Sequence, residues 1–511
     1  MSRARALKKN MMAGWLSEVV AVICGLILPW LILTAFGSSV NGLLSSIVQF
    51  LSFSVLLRAG VGAVTKAALF KPLAEGNQEE IDRVIAATQS YMKKISFFVA
   101  LYILFLAVFY PFITRSEYDW WYTFTLMIIV GSATLVDNLV GIKYKILLQA
   151  DQKYYVETLA YAAAQLLALV VSYLLIVCVE EPSIHVVRLG AAFSMFLSPF
   201  FVTIYTRKRY KINLKVNAPS SVIAQRWDAF AQQTALIMNQ SAGLVLLSFF
   251  APLVEISVFT VHYMVCHNIE KVVISTIMGV SSTFGNIIAK GEKENLVRVF
   301  CFIEWALFAC CAVLFTTTAV TIVPFIRIYT DGVTDVNYIR PVFAAAMTAA
   351  AMVSCMRRPY QALVDAAGRF KQTRNGAIVE VAINIGVSCV AIYFWGIIGA
   401  ALGVLVASVF RSIQLAIYAS KHIIDLPKYR VLKIYFGYLG FTALNACLCQ
   451  TLIPIPQSGG YLIWAGCAFA TMVVAALFVA AFSLAFNRKQ IIYLMNRIGN
   501  KTQKTKVIKH N

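Results

Sequence analysis

Long apolar runs, most of them closed by a short polar or basic cluster and one pair separated only by Gly396 and its neighbours, follow one another along almost the whole chain. Runs long enough to cross about 30 Å of hydrocarbon as helices are read at approximately residues 12–33, 42–64, 95–114, 121–142, 157–179, 186–206, 229–250, 254–279, 299–324, 341–357, 376–396, 398–418, 432–453 and 461–486. They are continuous, whereas a barrel strand alternates over about ten residues, so the pattern excludes a β-barrel. It predicts an all-α polytopic membrane protein with about 14 transmembrane helices.

Composition agrees with this reading. Of the 511 residues, 60% are hydrophobic and 13% charged, and the mean hydropathy is +0.76, which excludes a water-soluble globular domain of this size. The net charge of +21 invites a nucleic-acid partner, but the placement of the basic residues argues against one. With the N-terminus in the cytoplasm, alternate loops collect nearly all Lys and Arg, and the outer loops hold only Arg115, Arg188, Arg327 and Arg340; the positive-inside rule accounts for the basicity. Both termini are expected in the cytoplasm, and the basic tail from Arg488 to Lys509 can also meet anionic lipid. Arg3, Arg5, Lys8 and Lys9 precede a full-length span without a small-residue cleavage pattern, so the first helix is expected to stay as an anchor. The eleven cysteines are scattered, without paired CxxC spacing, and indicate neither a disulfide framework nor a metal site.

One eleven-residue phrase occurs twice, about 215 residues apart. Ala74-Glu75-Gly76-Asn77-Gln78-Glu79-Glu80-Ile81-Asp82-Arg83-Val84 is echoed by Ala289-Lys290-Gly291-Glu292-Lys293-Glu294-Asn295-Leu296-Val297-Arg298-Val299. Each copy follows an even-numbered span, so the two halves enter and leave on the same side and are related by an axis along the membrane normal. The expected organisation is two parallel six-helix lobes, 1–206 and 229–420, joined by a cytoplasmic linker at 207–228. An extra helix pair at 421–486 and a basic tail at 487–511 follow. No outer loop is long enough for an ordinary soluble domain, so any chemistry falls within the bundle or at its faces.

Ionisable groups inside spans are the sharpest functional clue, because burying one in hydrocarbon costs at least about 2.5–3.5 kcal/mol. Arg58 in span 2 and Lys271 in span 8 are read as the only basic residues well inside, each about twenty residues before its copy of the glycine phrase. Two cations facing one cavity suit an anionic headgroup such as a pyrophosphate; snorkelling to the cytoplasmic surface is the competing reading. Glu18, Asp137, Glu270, Glu304 and Glu380 are candidates for carrying H⁺ or Na⁺ in a coupling step, against interhelical hydrogen bonding for each. Glu380 and Asn384 share a helix face. Gln232, Gln233, Asn239 and Gln240 form an uncharged stripe on span 7 that can bind sugar hydroxyls, line an aqueous cavity or knit the lobes together; adding the repeat period to Glu18 lands on Gln233. His262 and His267 lack a carboxylate at ligand spacing and read as structural or weak cavity residues. No cofactor is indicated, and no GxSxG, HExxH or P-loop motif supports an enzyme.

Three stretches resemble a known group. Ser54-Val55-Leu56-Leu57-Arg58-Ala59-Gly60-Val61-Gly62-Ala63-Val64-Thr65-Lys66 with Leu73-Ala74-Glu75-Gly76-Asn77 is similar to the corresponding part of the bacterial polysaccharide-export flippases. Lys145-Ile146-Leu147-Leu148-Gln149-Ala150-Asp151-Gln152-Lys153-Tyr154 and Asp365-Ala366-Ala367-Gly368-Arg369-Phe370 resemble that family's cytoplasmic turns. The resemblance extends over most of the chain, and its motifs are loose and shared with the lipid II flippases and the multidrug and toxin extrusion antiporters of the same superfamily. The resemblance implies a V-shaped pair of six-helix lobes alternating between inward- and outward-open states. The cargo it implies is an undecaprenyl-pyrophosphate-linked oligosaccharide. Lipid II flippases place cavity cations on their second and eighth helices, and only Arg58 and Lys271 correspond. A further arginine cluster expected on span 1 is replaced by Glu18, which points away from lipid II and toward an O-antigen or exopolysaccharide unit. The extra helix pair is a second departure and offers a groove for the polyprenyl tail.

The leading expectation is thus a flippase in the bacterial cytoplasmic membrane, with the lipid-linked oligosaccharide, membrane lipids and other polysaccharide-assembly proteins as partners. A cation-coupled multidrug antiporter of the same fold is the first alternative, though it would prefer an acidic, aromatic cavity. A membrane-embedded polysaccharide transferase or polymerase is the second, and the short outer loops count against it.

Overall fold

A computed structural model describes residues 3–58, 61–114, 117–210, 212–214, 216, 227–277, 280–456, 459–488 and 490. Arg115, most of the expected linker and the tail from 491 onward lie outside the described residues. The elements are helices α1 (Arg3–Ser52), α2 (Val61–Glu75), α3 (Gln78–Phe109), α4 (Pro111–Thr114), α5 (Trp120–Val136), α6 (Ile142–Ala150), α7 (Tyr154–Cys178), α8 (Ile184–Tyr210) and α9 (Trp227–Phe250). They continue with α10 (Leu253–Ile277), α11 (Val280–Ala289), α12 (Lys293–Tyr329), α13 (Pro341–Met356), α14 (Arg358–Ala366), α15 (Phe370–Trp395), α16 (Ile397–His422), α17 (Lys428–Leu452) and α18 (Tyr461–Phe486). The chain is an all-helical multi-pass membrane protein among its described residues, as the continuous apolar runs require: in lipid, a helix satisfies its own backbone groups.

A helix stands at each of the fourteen expected spans, but only ten are long and apolar enough by themselves among the described residues. Four differences account for this. Spans 1 and 2 form one element, α1, broken only at Gly37 (φ 83°). Span 7 contributes a described apolar stretch of Ser241–Phe250 alone. Span 8 carries His262, His267, Asn268 and Glu270, which lower its hydropathy. Span 10 stops after 16 residues, at Met356. Span 2 is also not continuous to residue 64: α1 gives way to a tighter 3₁₀ turn over Phe53–Arg58 before α2 begins.

The chain divides into two compact units, Met1–Thr260 with Gly332–Val336, and Val261–Asp331 with Asn337–Asn511. The repeat read from the sequence is visible in the local geometry of both. Gly76 (φ 69°) and Gly291 (φ 70°) occupy the left-handed region, where glycine carries no Cβ penalty. Each ends a short helix and starts a long one. Asn77 N donates to Pro72 O at 3.0 Å, and Glu292 N to Ile287 O at 3.3 Å. A second pair of turns matches at nearly the same period. Gln152 (φ 59°) and Gly368 (φ 66°) follow α6 and α14; Lys153 N donates to Leu148 O at 2.8 Å, and Arg369 N to Val364 O at 3.1 Å. Both units also interrupt the helix ahead of this turn: a π-helical turn, Asp137–Gly141, separates α5 from α6, and Arg357 separates α13 from α14.

Packing fixes these pieces. In the first unit Leu69, Ile81, Ile85, Ile146 and Leu147 form one buried cluster joining α2, α3 and α6. In the second, Val320, Cys449 and Ala475 join α12 to the C-terminal pair α17 and α18.

Candidate functional site

The π-helical turn at Asp137–Gly141 shapes a polar cavity in the first unit. One extra residue in a helical turn redirects the side chains beyond it and leaves carbonyls less regularly paired, which is why such turns recur at functional positions. Gly141 permits the arrangement, since a Cβ there would lie 2.7 Å from Asp137 Oδ1 and 2.8 Å from Pro199 Cβ on α8. Lys145 Nζ donates to Asp137 Oδ1 at 2.6 Å, and Arg58 Nη1 lies 3.8 Å from Asp137 Oδ2. Arg58 Nη1 also donates to Asn138 Oδ1 at 3.2 Å. Arg58, Asp137, Lys145, Tyr161 and Ser198 line a cavity of about 170 Å³. Two cations share one carboxylate, so the cavity carries a net charge of about +1, and all three groups retain partial access. That is chemistry for holding an anion while a carboxylate stands ready to be exchanged against it.

The second unit has two acidic centres of another kind. Glu380, only 7% exposed, accepts from Arg357 Nη1 at 2.5 Å and lies 3.6 Å from Arg411 Nε. Arg411 is further held by Thr373 O at 2.9 Å and by Gln414. Glu304 is fully buried; Tyr360 donates to one carboxylate oxygen, and Arg430 Nη2 donates to the other at 3.0 Å. These pairs join α12, α14, α15, α16, α17 and the junction between α13 and α14.

The expectation that Arg58 and Lys271 alone bring positive charge well inside the helices is corrected. Arg411, within expected span 12, is 6% exposed, and Lys143 is 8% exposed. Arg188, expected in an outer loop, belongs to α8. Arg188 and Arg411 already fall inside the expected spans 186–206 and 398–418, so their positions alone mark them as intramembrane; only Lys143, one residue past the end of span 4, needed the fold, which turns its Nζ back to Leu139 O at 3.1 Å.

The other expected site residues are dispersed. Glu18 is exposed on α1, and Lys271 and Asn239 are part-exposed. Glu270 lies 3.5 Å from His267 Nδ1, and His262 is buried against the ring of Phe343. Asn384, on the face of Glu380, accepts from Ser388 at 3.2 Å. The side chains of Gln232, Gln233 and Gln240 lie outside the described residues. No cluster of metal-binding side chains occurs among the described residues.

Polar contacts on spans 7 and 8 instead fall on serines outside the expected stripe. Asn41 donates to Ser257 at 2.7 Å, Ser46 and Ser248 are 2.6 Å apart, and Gln49 donates to Ser241. Gly42 lets the backbones meet, because a Cβ there would lie 1.8 Å from Leu253 O. At one end of this ladder Asp335 accepts from Ser38 N at 2.7 Å and Ser38 Oγ at 2.6 Å. Glu117 accepts there from Ser39 Oγ at 2.7 Å and Leu253 N at 2.9 Å. The seven-residue spacing of Ser241 and Ser248, small and polar on one helix face, is the signal that would have found it.

Solved transporters share this architecture. The lipid II flippase MurJ in an inward closed conformation matches with a TM-score of 0.70 at 14% identity, over 94% of this chain and 99% of that one. An inward-facing multidrug resistance MATE family transporter of the MOP superfamily matches with a TM-score of 0.62 at 13% identity, over 84% of this chain and 98% of that one. The Vibrio cholerae MATE transporter VcmN in the bent form matches with a TM-score of 0.53 at 13% identity, over 84% of this chain and 99% of that one. No family model and no curated protein matches the sequence. At these identities the likeness is one of fold: the chain has the polytopic helical fold of these transporters.

Proposed function

We propose that this chain is an alternating-access flippase that turns a polyprenyl-pyrophosphate-linked oligosaccharide, an O-antigen or exopolysaccharide unit, across a bacterial cytoplasmic membrane. The observation that carries the reading is the cavity in which Arg58 and Lys145 share the single carboxylate of Asp137. A surplus cation with partial access is what a pyrophosphate needs and what a cationic drug would avoid. The fold adds support: the lipid II flippase covers 94% of the chain against 84% for the MATE transporters, a margin comparable in length with the C-terminal helix pair. In this reading Arg58 and Lys271 contact the headgroup, with Lys145 as an addition from the structure. Asp137, Glu18 and Glu270 remain the coupling candidates, because Glu304 and Glu380 are themselves buried and held in place by arginines.

The test is a complementation assay in cells whose own flippase is deleted. The double variant Arg58→Ala with Lys271→Ala, expressed at normal levels, is expected to abolish surface polysaccharide. Polysaccharide made at the wild-type level would discard the headgroup role. A cation-coupled drug antiporter is the second reading, favoured by the fold it shares with the MATE transporters. Efflux of cationic dyes that depends on Asp137 and survives loss of Arg58 would select it.

A further inference from the structure

A second cavity, of about 280 Å³, lies in the first unit between α1, α5, α7 and α8. Cys24, Leu28, Leu169 and Met195 supply much of its apolar wall, and Arg188 and Gln165 supply the polar groups. It shares the lining residues Ala133 and Met195 with the Arg58 cavity. Arg188 as a whole is part-exposed, yet its Nε is buried without a hydrogen-bond partner, and so is Gln165 Oε1. Among the described residues no carboxylate forms an ion pair with Arg188. Asp137, which lines the adjoining Arg58 cavity, is already engaged by Arg58 and Lys145, and Glu180 and Glu181 ahead of α8 are exposed.

Arginine does not escape burial by losing its proton, and an unpaired charge at an apolar wall is strongly unfavourable. A counter-ion from outside the chain relieves that cost. One guanidinium neutralises one negative charge, so a monoanion fits and a doubly charged phosphate does not. The planar fork matches the two oxygens of a carboxylate, and the Gln165 amide can turn its N–H toward the same group. The remaining wall is apolar, and the volume lies just below the range of about 300 to 1,000 Å³ usual for drug-sized ligands, so the occupant is small. We propose that this cavity binds a small apolar monocarboxylate, with its carboxylate on Arg188 and Gln165 and its hydrocarbon body against Cys24, Leu28 and Leu169. The site is separate from the headgroup role given to Arg58 and does not depend on the identity of the cargo.

The full chain, reconstituted in nanodiscs of zwitterionic phospholipid, is titrated with hexanoate, acetate, hexanol and chloride by calorimetry. Saturable hexanoate binding is expected, with none for hexanol. Arg188→Gln should weaken hexanoate at least tenfold at an unchanged unfolding temperature. Gly25→Val provides a second arm that does not disturb the cation. Gly25 lines the cavity and a Cβ there meets nothing within 4 Å, so the valine grows into the cavity; this variant should lose hexanoate and keep acetate. Equal hexanoate affinity in wild type and Arg188→Gln, binding of hexanol as strong as hexanoate, a response to chloride alone, or undiminished hexanoate binding in Gly25→Val would each overturn the proposal.

Discussion

The two units handle their internal carboxylates in opposite ways. In the first, Asp137 is 27% exposed, its cations Arg58 and Lys145 are 28% and 13% exposed, and the group lines a cavity. In the second, Glu380 and Glu304 are 7% and 1% exposed, and each is held by arginine. Both are carboxylates paired with cationic side chains, and the solvent access of the carboxylate separates them. A buried ion pair with its lone pairs occupied joins helices and resists exchange. A part-open pair with a surplus cation can trade one partner for a ligand. Charge inside a membrane helix is therefore not by itself a sign of transport chemistry; its completeness of pairing has to be read as well.

The comparison breaks most visibly at Glu380. Glu380→Ala leaves Arg357 and Arg411 buried without their acid and should cost about 3–5 kcal/mol, read as a large fall in thermal unfolding temperature in detergent. Glu304→Gln should act in the same direction by a smaller amount, because the amide still accepts from Tyr360. Asp137→Asn should change stability by less than about 1 kcal/mol, since its partners are part-exposed, while abolishing or uncoupling transport in the complementation assay. A stability loss at Asp137 as large as that at Glu380 would erase the distinction between the units.

The shared turn sharpens the comparison from the other side. Gly76→Ala and Gly291→Ala meet no neighbour within 4 Å, so each should cost only the left-handed strain of about 1–2 kcal/mol, and by nearly equal amounts. Unequal costs would show that the two copies carry different loads. The smallest effect is expected at the caps. Asn77 Oδ1 accepts from Glu80 N at 3.1 Å, whereas Glu292 makes no side-chain cap bond. Asn77→Ala should cost about 1 kcal/mol and Glu292→Ala close to nothing, both measured by thermal unfolding.

The helical, membrane-spanning class and the internal repeat were legible in the chain alone. Lipid forces every apolar run to satisfy its own backbone, so hydropathy reports helices directly. A left-handed turn tolerates few residues besides glycine, so Gly76 and Gly291 betray the same local geometry without any tertiary information. The break within span 4 was not legible, because no proline marks it and it depends on Pro199 of α8 packing over Gly141. The polar ladder through Ser241, Ser248 and Ser257 was passed over because a serine in a helix looks neutral until another helix presents a donor.

What the order of residues determined, then, is what each segment must become by itself: where it is helical, where it turns and where it repeats. What only the folded arrangement decided is which charges find partners. Asp137 and Lys145 are near in sequence but Arg58 is not, and Glu304 meets Arg430 across more than a hundred residues. Coulomb energy depends on separation and on the polarity around the pair, and both are properties of packed helices, absent from the linear chain.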